Sequence, residues 1–171
     1  MRRHVLAAAV SLSFAICAFP AAADDLVKFR GGIGVIPVSN VAGTANADGT
    51  FPNVARNIVR GVNPPGQIWV IEDLRAEVDS GGRIRVDGRG LLLGGGSNIG
   101  LNANQSVMAT LICEAAAPFT LMNTGLVALE PNGDFRINDV LTPAPGGECA
   151  SPVLLIRNGG GAWFAAGIIK R

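Results

Sequence analysis

The chain has 171 residues, 49% of them hydrophobic and 16% charged, with 14 Lys and Arg against 13 Asp and Glu and a single His. That composition suits one folded domain with a real apolar core and excludes a chain disordered by composition. Near-balanced charge supplies neither the basic footprint of a nucleic-acid binder nor a polybasic patch for anionic membranes.

The N-terminus reads as a secretory leader. Arg2 and Arg3 precede an apolar run over 5–19 and the small residues Ala21-Ala22-Ala23, which is the grammar of a signal peptide cut between Ala23 and Asp24. The run falls short of the ~20 residues of a bilayer span, and no second long apolar stretch follows. The expectation is therefore a leader over 1–23 and one exported domain over 24–171, periplasmic or extracellular, with no membrane span of its own. Cleavage would remove His4, Cys17 and two arginines, taking the basic count from 14 to 12 against 13 acids. A net charge so close to zero disfavours solubility and points to a surface covered by another protein or by a second copy.

Beyond the leader, short β-branched and apolar runs alternate with Gly, Pro, Asn and Asp. Strands are expected over 26–30, 33–38, 67–79, 83–93, 105–113, 125–130, 134–141, 152–157 and 162–169. Segment 53–60 fits a strand by the alternation of Val54 and Ile58 with Arg56 and Arg60, or a short helix capped by Asn53. The fold class is all-β: a single antiparallel β-sandwich or small barrel of about eight to ten strands, rich in hairpins.

The hairpin over 72–90 has the most constrained register. A three-residue loop Ser80-Gly81-Gly82 sets Asp79 opposite Arg83, Glu77 opposite Arg85, Arg75 opposite Asp87 and Asp73 opposite Arg89. The other face then matches Val78 with Ile84, Ala76 with Val86 and Leu74 with Gly88. A one-residue slip would set charges against apolar side chains, so both faces demand one register. The arginines thus read as members of a charge ladder rather than a basic ligand strip. A second hairpin is expected about Pro131-Asn132-Gly133, bringing Glu130 and Asp134 together at an exposed tip.

Chemistry is bounded by what export leaves. Cys113 and Cys149 are the remaining thiols and are expected to form a disulfide. No metal or cofactor is expected, since no His remains and no paired C-x-x-C spacing exists. Asp79-Ser80-Gly81-Gly82 contains a string found around the nucleophile of trypsin-like proteases, but that chemistry needs a histidine base. The glycine run over 94–100 matches neither phosphate-binding fingerprint and no helix follows it.

One acid stands out. The row Ile68, Val70, Glu72, Leu74, Ala76, Val78 puts Glu72 among apolar neighbours, where burial would raise its pKa and suit it to general-acid work. The alternative is a bulge, or a strand that leaves the core near its start, turning Glu72 outward. The same parity puts Trp69 on the charged face, either as an exposed aromatic contact or packed beneath another strand or loop. Glu72, Asp73, Arg89 and Trp69 make the candidate ligand site. Alternation is also the mark of outer-membrane barrels, although the chain has no Tyr and few aromatic residues to form girdles. The function expected is a non-enzymatic secreted binding or structural module whose ligand and partner the sequence does not identify. Its rivals are a carboxylate-dependent hydrolase or lyase centred on Glu72, and a subunit of an extracellular assembly or an inhibitor of a secreted protein.

Overall fold

A computed structural model describes residues 24–170; the expected leader, with Ala23 at its end, lies outside the described residues. The described chain is all-β and antiparallel. Its strands are β1 (Asp25–Gly34), β2 (Val38–Ala42), β3 (Asn53–Arg56), β4 (Trp69–Val70), β5 (Asp73–Asp79), β6 (Arg83–Arg89), β7 (Leu92–Leu93), β8 (Ser106–Ile112), β9 (Met122–Asn123), β10 (Val127–Ala128), β11 (Phe135–Val140), β12 (Val153–Asn158) and β13 (Trp163–Ile169). No helix among the described residues is long and apolar enough to cross a membrane.

Nine strands form one sheet in the order β10-β8-β12-β13-β1-β5-β6-β11, with β9 also on β8. The sheet curls until its ends nearly meet. Just past β11, Thr142 exchanges backbone hydrogen bonds of 2.8 and 3.0 Å with Asn123 of β9, which itself pairs with Thr110 of β8. Near-closure leaves the barrel little open edge, the usual liability of a β-sheet.

Period-two alternation fills the interior. Leu74, Ala76 and Val78 of β5, Ile84 and Val86 of β6, and Phe135 and Ile137 of β11 are buried, while the residues between them face solvent. The opposite wall differs: β8, β12 and β13 are buried on both faces over much of their length. A segment between β3 and β4 covers them from outside. Asn57 and Asn63 accept hydrogen bonds from the indole and backbone N–H of Trp163, and the Arg60 guanidinium donates to Ser151 Oγ at 2.8 Å. Cys113 and Cys149, 36 positions apart in sequence, form a disulfide that ties the end of β8 to the segment before β12.

The register of the β5–β6 hairpin is the one both faces demand, from Asp73 opposite Arg89 to Val78 opposite Ile84. Gly82 takes φ +84° and its N–H donates to Asp79 O, closing the loop. The charges on this face combine differently from the ladder. Glu77 pairs with Arg30 of β1 at 3.2 Å, Asp87 with Arg136 of β11 at 2.9 Å, and Asp73 with Arg75 along its own strand at 3.1 Å. Asp79 accepts from the backbone N–H of Gly81 and Arg83, both at 2.9 Å, and so caps the turn. Register fixes where Cα atoms lie, whereas long side chains reach whichever neighbour lies at the right diagonal, and β1 and β11 flank this hairpin.

Other elements depart from the expected bounds. Segment 53–60 contributes a strand only over Asn53–Arg56, paired with β2, a strand the sequence reading omitted. The tip at Pro131-Asn132-Gly133 forms, with Glu130 N–H donating to Asp134 O at 2.9 Å. Its arms then part: β10 pairs with β8 and β11 with β6, and Leu129 N–H donates to Gln105 O.

Candidate functional site

Of the four residues singled out from sequence, Glu72, Asp73 and Arg89 lie side by side at the surface and Trp69 does not join them. Trp69 is 4% exposed and stacks on Phe164 with ring centroids 4.0 Å apart and planes 8° from parallel. This corrects the exposed alternative for Trp69. The reason is a break in strand parity at Ile71 and Glu72. Trp69 and Val70 pair with Leu93 and Leu92 in a separate small ribbon, whereas Asp73 begins the pairing with β6. At the break, Glu72 N–H donates to Arg89 O at 3.0 Å and the Glu72 side chain is exposed. Asp73 and Arg89 face each other on the outer surface.

Burying Trp69 turns its neighbours outward: Ile68 is 41% exposed and Val70 47%. Close approach of β4 to β1 makes this possible. Trp69 N–H donates to Val35 O at 3.1 Å, and a Cβ on Gly34 would lie 2.2 Å from Trp69 O, so only glycine fits there. Past Gly34, Val35 is fully buried and Ile36 is 61% exposed.

Ile36, Pro37, Val38 and Ile68 therefore face a common open cleft of about 450 Å³, floored in part by Gly66, Gly95 and Gly96. Its lining is mostly apolar, with the Gln67 amide as the polar side chain. That volume lies within the ~300–1,000 Å³ of small ligand pockets, and apolar walls with few polar groups are the usual make-up of such sites. Sequence parity carried through 67–79 as one strand hid this cleft. The available signal was its flanks, Pro64-Pro65-Gly66 and Gly94-Gly95-Gly96, which mark both walls as loop-bounded.

A second concavity of about 800 Å³ lies on the charged face, lined by Asp25, Glu77, Asp79, Arg83, Arg85, Asn138 and Val140 among others. Among the described residues, Arg83 and Arg85 form no ion pair with a carboxylate. Acids and arginines are interleaved here, so the groove presents no field of one sign. Nearby, Gly125 and Val140 N–H groups donate to the Asp139 carboxylate, each at 2.8 Å, and hold its pKa below the ordinary value.

Two arginines are structural. Arg157 donates to Gly161 O at 3.1 Å and to Thr110 Oγ1 and Asn123 Oδ1 at 3.3 Å each; burial pushes its pKa down. Arg60 lies 5.2 Å from the Phe119 ring centroid. Arg157 ties β12 to β8 and β9, and Arg60 joins the outer cover to the segments that carry Ser151 and Phe119.

No match to this chain was found among protein-family models, curated proteins or solved structures. Function must be argued from the surface itself. Of the two concavities, the apolar cleft has the sharper character. It offers a desolvated place to apolar groups, whereas the charged groove competes with water for every contact.

Proposed function

We propose that this protein is an exported, non-enzymatic binding module whose apolar cleft receives an extended apolar segment of a partner protein. The observation that carries the reading is the outward turn of Ile36 and Ile68, which line the cleft beside the buried Trp69. Folding leaves these side chains in water although each would gain by burial, which is the mark of a surface that a partner covers. The cleft is open along one side and bounded by glycine backbone, so it suits a chain laid across it. Glu72, exposed at the end of a strand, offers a carboxylate to solvent without an enclosed place for a reacting group, which favours binding over hydrolysis. The disulfide supports an oxidising compartment.

The test uses the apolar fluorophore 1-anilinonaphthalene-8-sulfonate as a probe of the cleft on the folded protein. Saturable enhancement is expected, and Ile68→Glu should weaken it by tenfold or more while far-ultraviolet circular dichroism stays unchanged. Enhancement that Ile68→Glu leaves intact overturns the cleft as the site. For export, the mass of the protein recovered outside the cytoplasm should correspond to a chain starting at Asp24; retention of the full chain inside the cell refutes it.

A further inference from the structure

The run Gly94-Gly95-Gly96 follows β7 and supplies Gly95 and Gly96 to the lining of the apolar cleft. Its members are glycine for different reasons. A Cβ on Gly94 would lie 2.7 Å from Val70 Cγ1 and 3.0 Å from Ile68 Cγ2, so the close approach of β4 leaves no room for a side chain. Gly96 takes φ +79°, in the left-handed region that other residues disfavour. Gly95 is under neither constraint. Its φ lies outside that region, and within 4 Å a Cβ there would meet only Ile68 Cδ1, at an ordinary 3.8 Å. Gly66, on the same lining, is equally free, with nothing within 4 Å of a Cβ on it.

The fold therefore does not require glycine at 95, but an open cleft does. A longer side chain at this position would grow beside the tip of Ile68, toward the space that the cleft leaves empty. Glycine also lays bare its own backbone. Gly94 N–H donates to Ile68 O at 2.9 Å and Gly96 O accepts from Ile99 N–H at 3.3 Å. Neither the N–H nor the C=O of Gly95 has a hydrogen-bond partner among the described residues. A free backbone donor and acceptor beside an apolar hollow suit an extended chain, which is held by main-chain hydrogen bonds and selected by the pocket its side chain enters. None of the eight lining residues is charged, so a charged side chain buried here would lose water without gaining a partner. The carbonyl oxygen of the Gln67 amide can accept one N–H or O–H.

Resting on the reading of the cleft as the seat of an extended segment, we infer that Gly95 determines which segment it takes. The partner's backbone comes against the free N–H and C=O of Gly95, and a large uncharged side chain fills the space beside Ile68. Tryptophan matches this chemistry best, as a wide apolar ring with a single N–H that needs an acceptor when buried.

Titrating the isotope-labelled protein with the blocked tripeptide acetyl-Gly-Trp-Gly-amide, with backbone amides followed by nuclear magnetic resonance, tests this. Saturable binding with Kd on the order of 1 mM is expected, with the Gly95 amide among the resonances that move most. Gly95→Leu should weaken it by about tenfold or more while Tm stays within about 2 °C, because the backbone there tolerates a side chain. The analogue acetyl-Gly-Lys-Gly-amide should bind about tenfold more weakly or not at all. Absence of binding up to about 10 mM, shifts that spare Gly95, or equal affinity for the lysine peptide overturns the inference. So does a Gly95→Leu protein that binds as wild type or loses its fold. Dye enhancement that Ile68→Glu abolishes keeps the cleft reading standing through any of these results; enhancement that is absent, or indifferent to Ile68→Glu, removes both.

Discussion

Gly88 is the position where one added carbon should do most harm. It lies on β6 between Leu74 of β5 and Phe135 of β11, and the Phe135 ring lies over it. A Cβ on Gly88 would sit 2.1 Å from Phe135 Cε1 and 2.2 Å from Cζ. To reach the 3.4 Å at which ordinary contact begins, the ring would have to retreat by about 1.3 Å. It has nowhere to go, since Phe135 is 2% exposed and Ile137, Val86 and Leu74 around it are equally enclosed. Overpacking a closed core costs about 1–3 kcal/mol, and expelling a phenyl ring about 3–5 kcal/mol. Gly88→Ala is therefore expected to destabilise by about 3 kcal/mol, which for a domain of this size lowers Tm by roughly 6–12 °C. Urea unfolding followed by tryptophan fluorescence measures it. Phe135→Leu in the Gly88→Ala background should recover much of the loss, leaving the double variant within about 1 kcal/mol of Phe135→Leu alone. A Gly88→Ala protein within about 0.5 kcal/mol of wild type, or strictly additive effects, would falsify the crowding argument.

Three further outcomes follow from the same structure. Replacing Cys113 and Cys149 together by Ala opens a loop spanning 36 residues and should cost about 2–4 kcal/mol, read from the same unfolding curves. At the β5–β6 turn, Asp79→Ala should cost about 1 kcal/mol through loss of its backbone caps, while its coupling to Arg83→Ala stays under about 0.3 kcal/mol; strong coupling would restore the ladder pairing. Asp139 has a lowered carboxyl pKa because it accepts from Gly125 and Val140, so its contribution is present above the unfolded value near 4 and is lost as pH falls through the lower folded value. Asp139→Asn should therefore destabilise at pH 7 and matter progressively less below about pH 4; a stability difference that persists unchanged into strong acid contradicts this sign.

What the sequence determined by itself was local and periodic. The β5–β6 register was legible because two faces with opposite demands admit one alignment, and period-two alternation carries that information in the chain. The disulfide was legible because only two cysteines follow residue 23. All-β architecture followed from short apolar runs and frequent turn residues, without any long helical stripe.

Tertiary structure decided what happens where one strand leaves a sheet for another. At Ile71 and Glu72 the partner changes from β7 to β6, and parity does not survive a change of partner. Trp69 consequently moves inside, Ile68 and Val70 move outside, and a cleft opens beside Ile68 where continuous alternation put a buried side chain. The choice of ion-pair partners was equally out of reach, because Arg30 and Arg136 arrive from strands distant in sequence. Near-closure of the barrel came from Thr142 meeting Asn123, a contact between loop-flanking residues that no periodicity marks. Alternation tells each residue which side it shares with its neighbours along a strand. Only packing decides which side faces the core, and at the cleft that decision left the apolar groups in water.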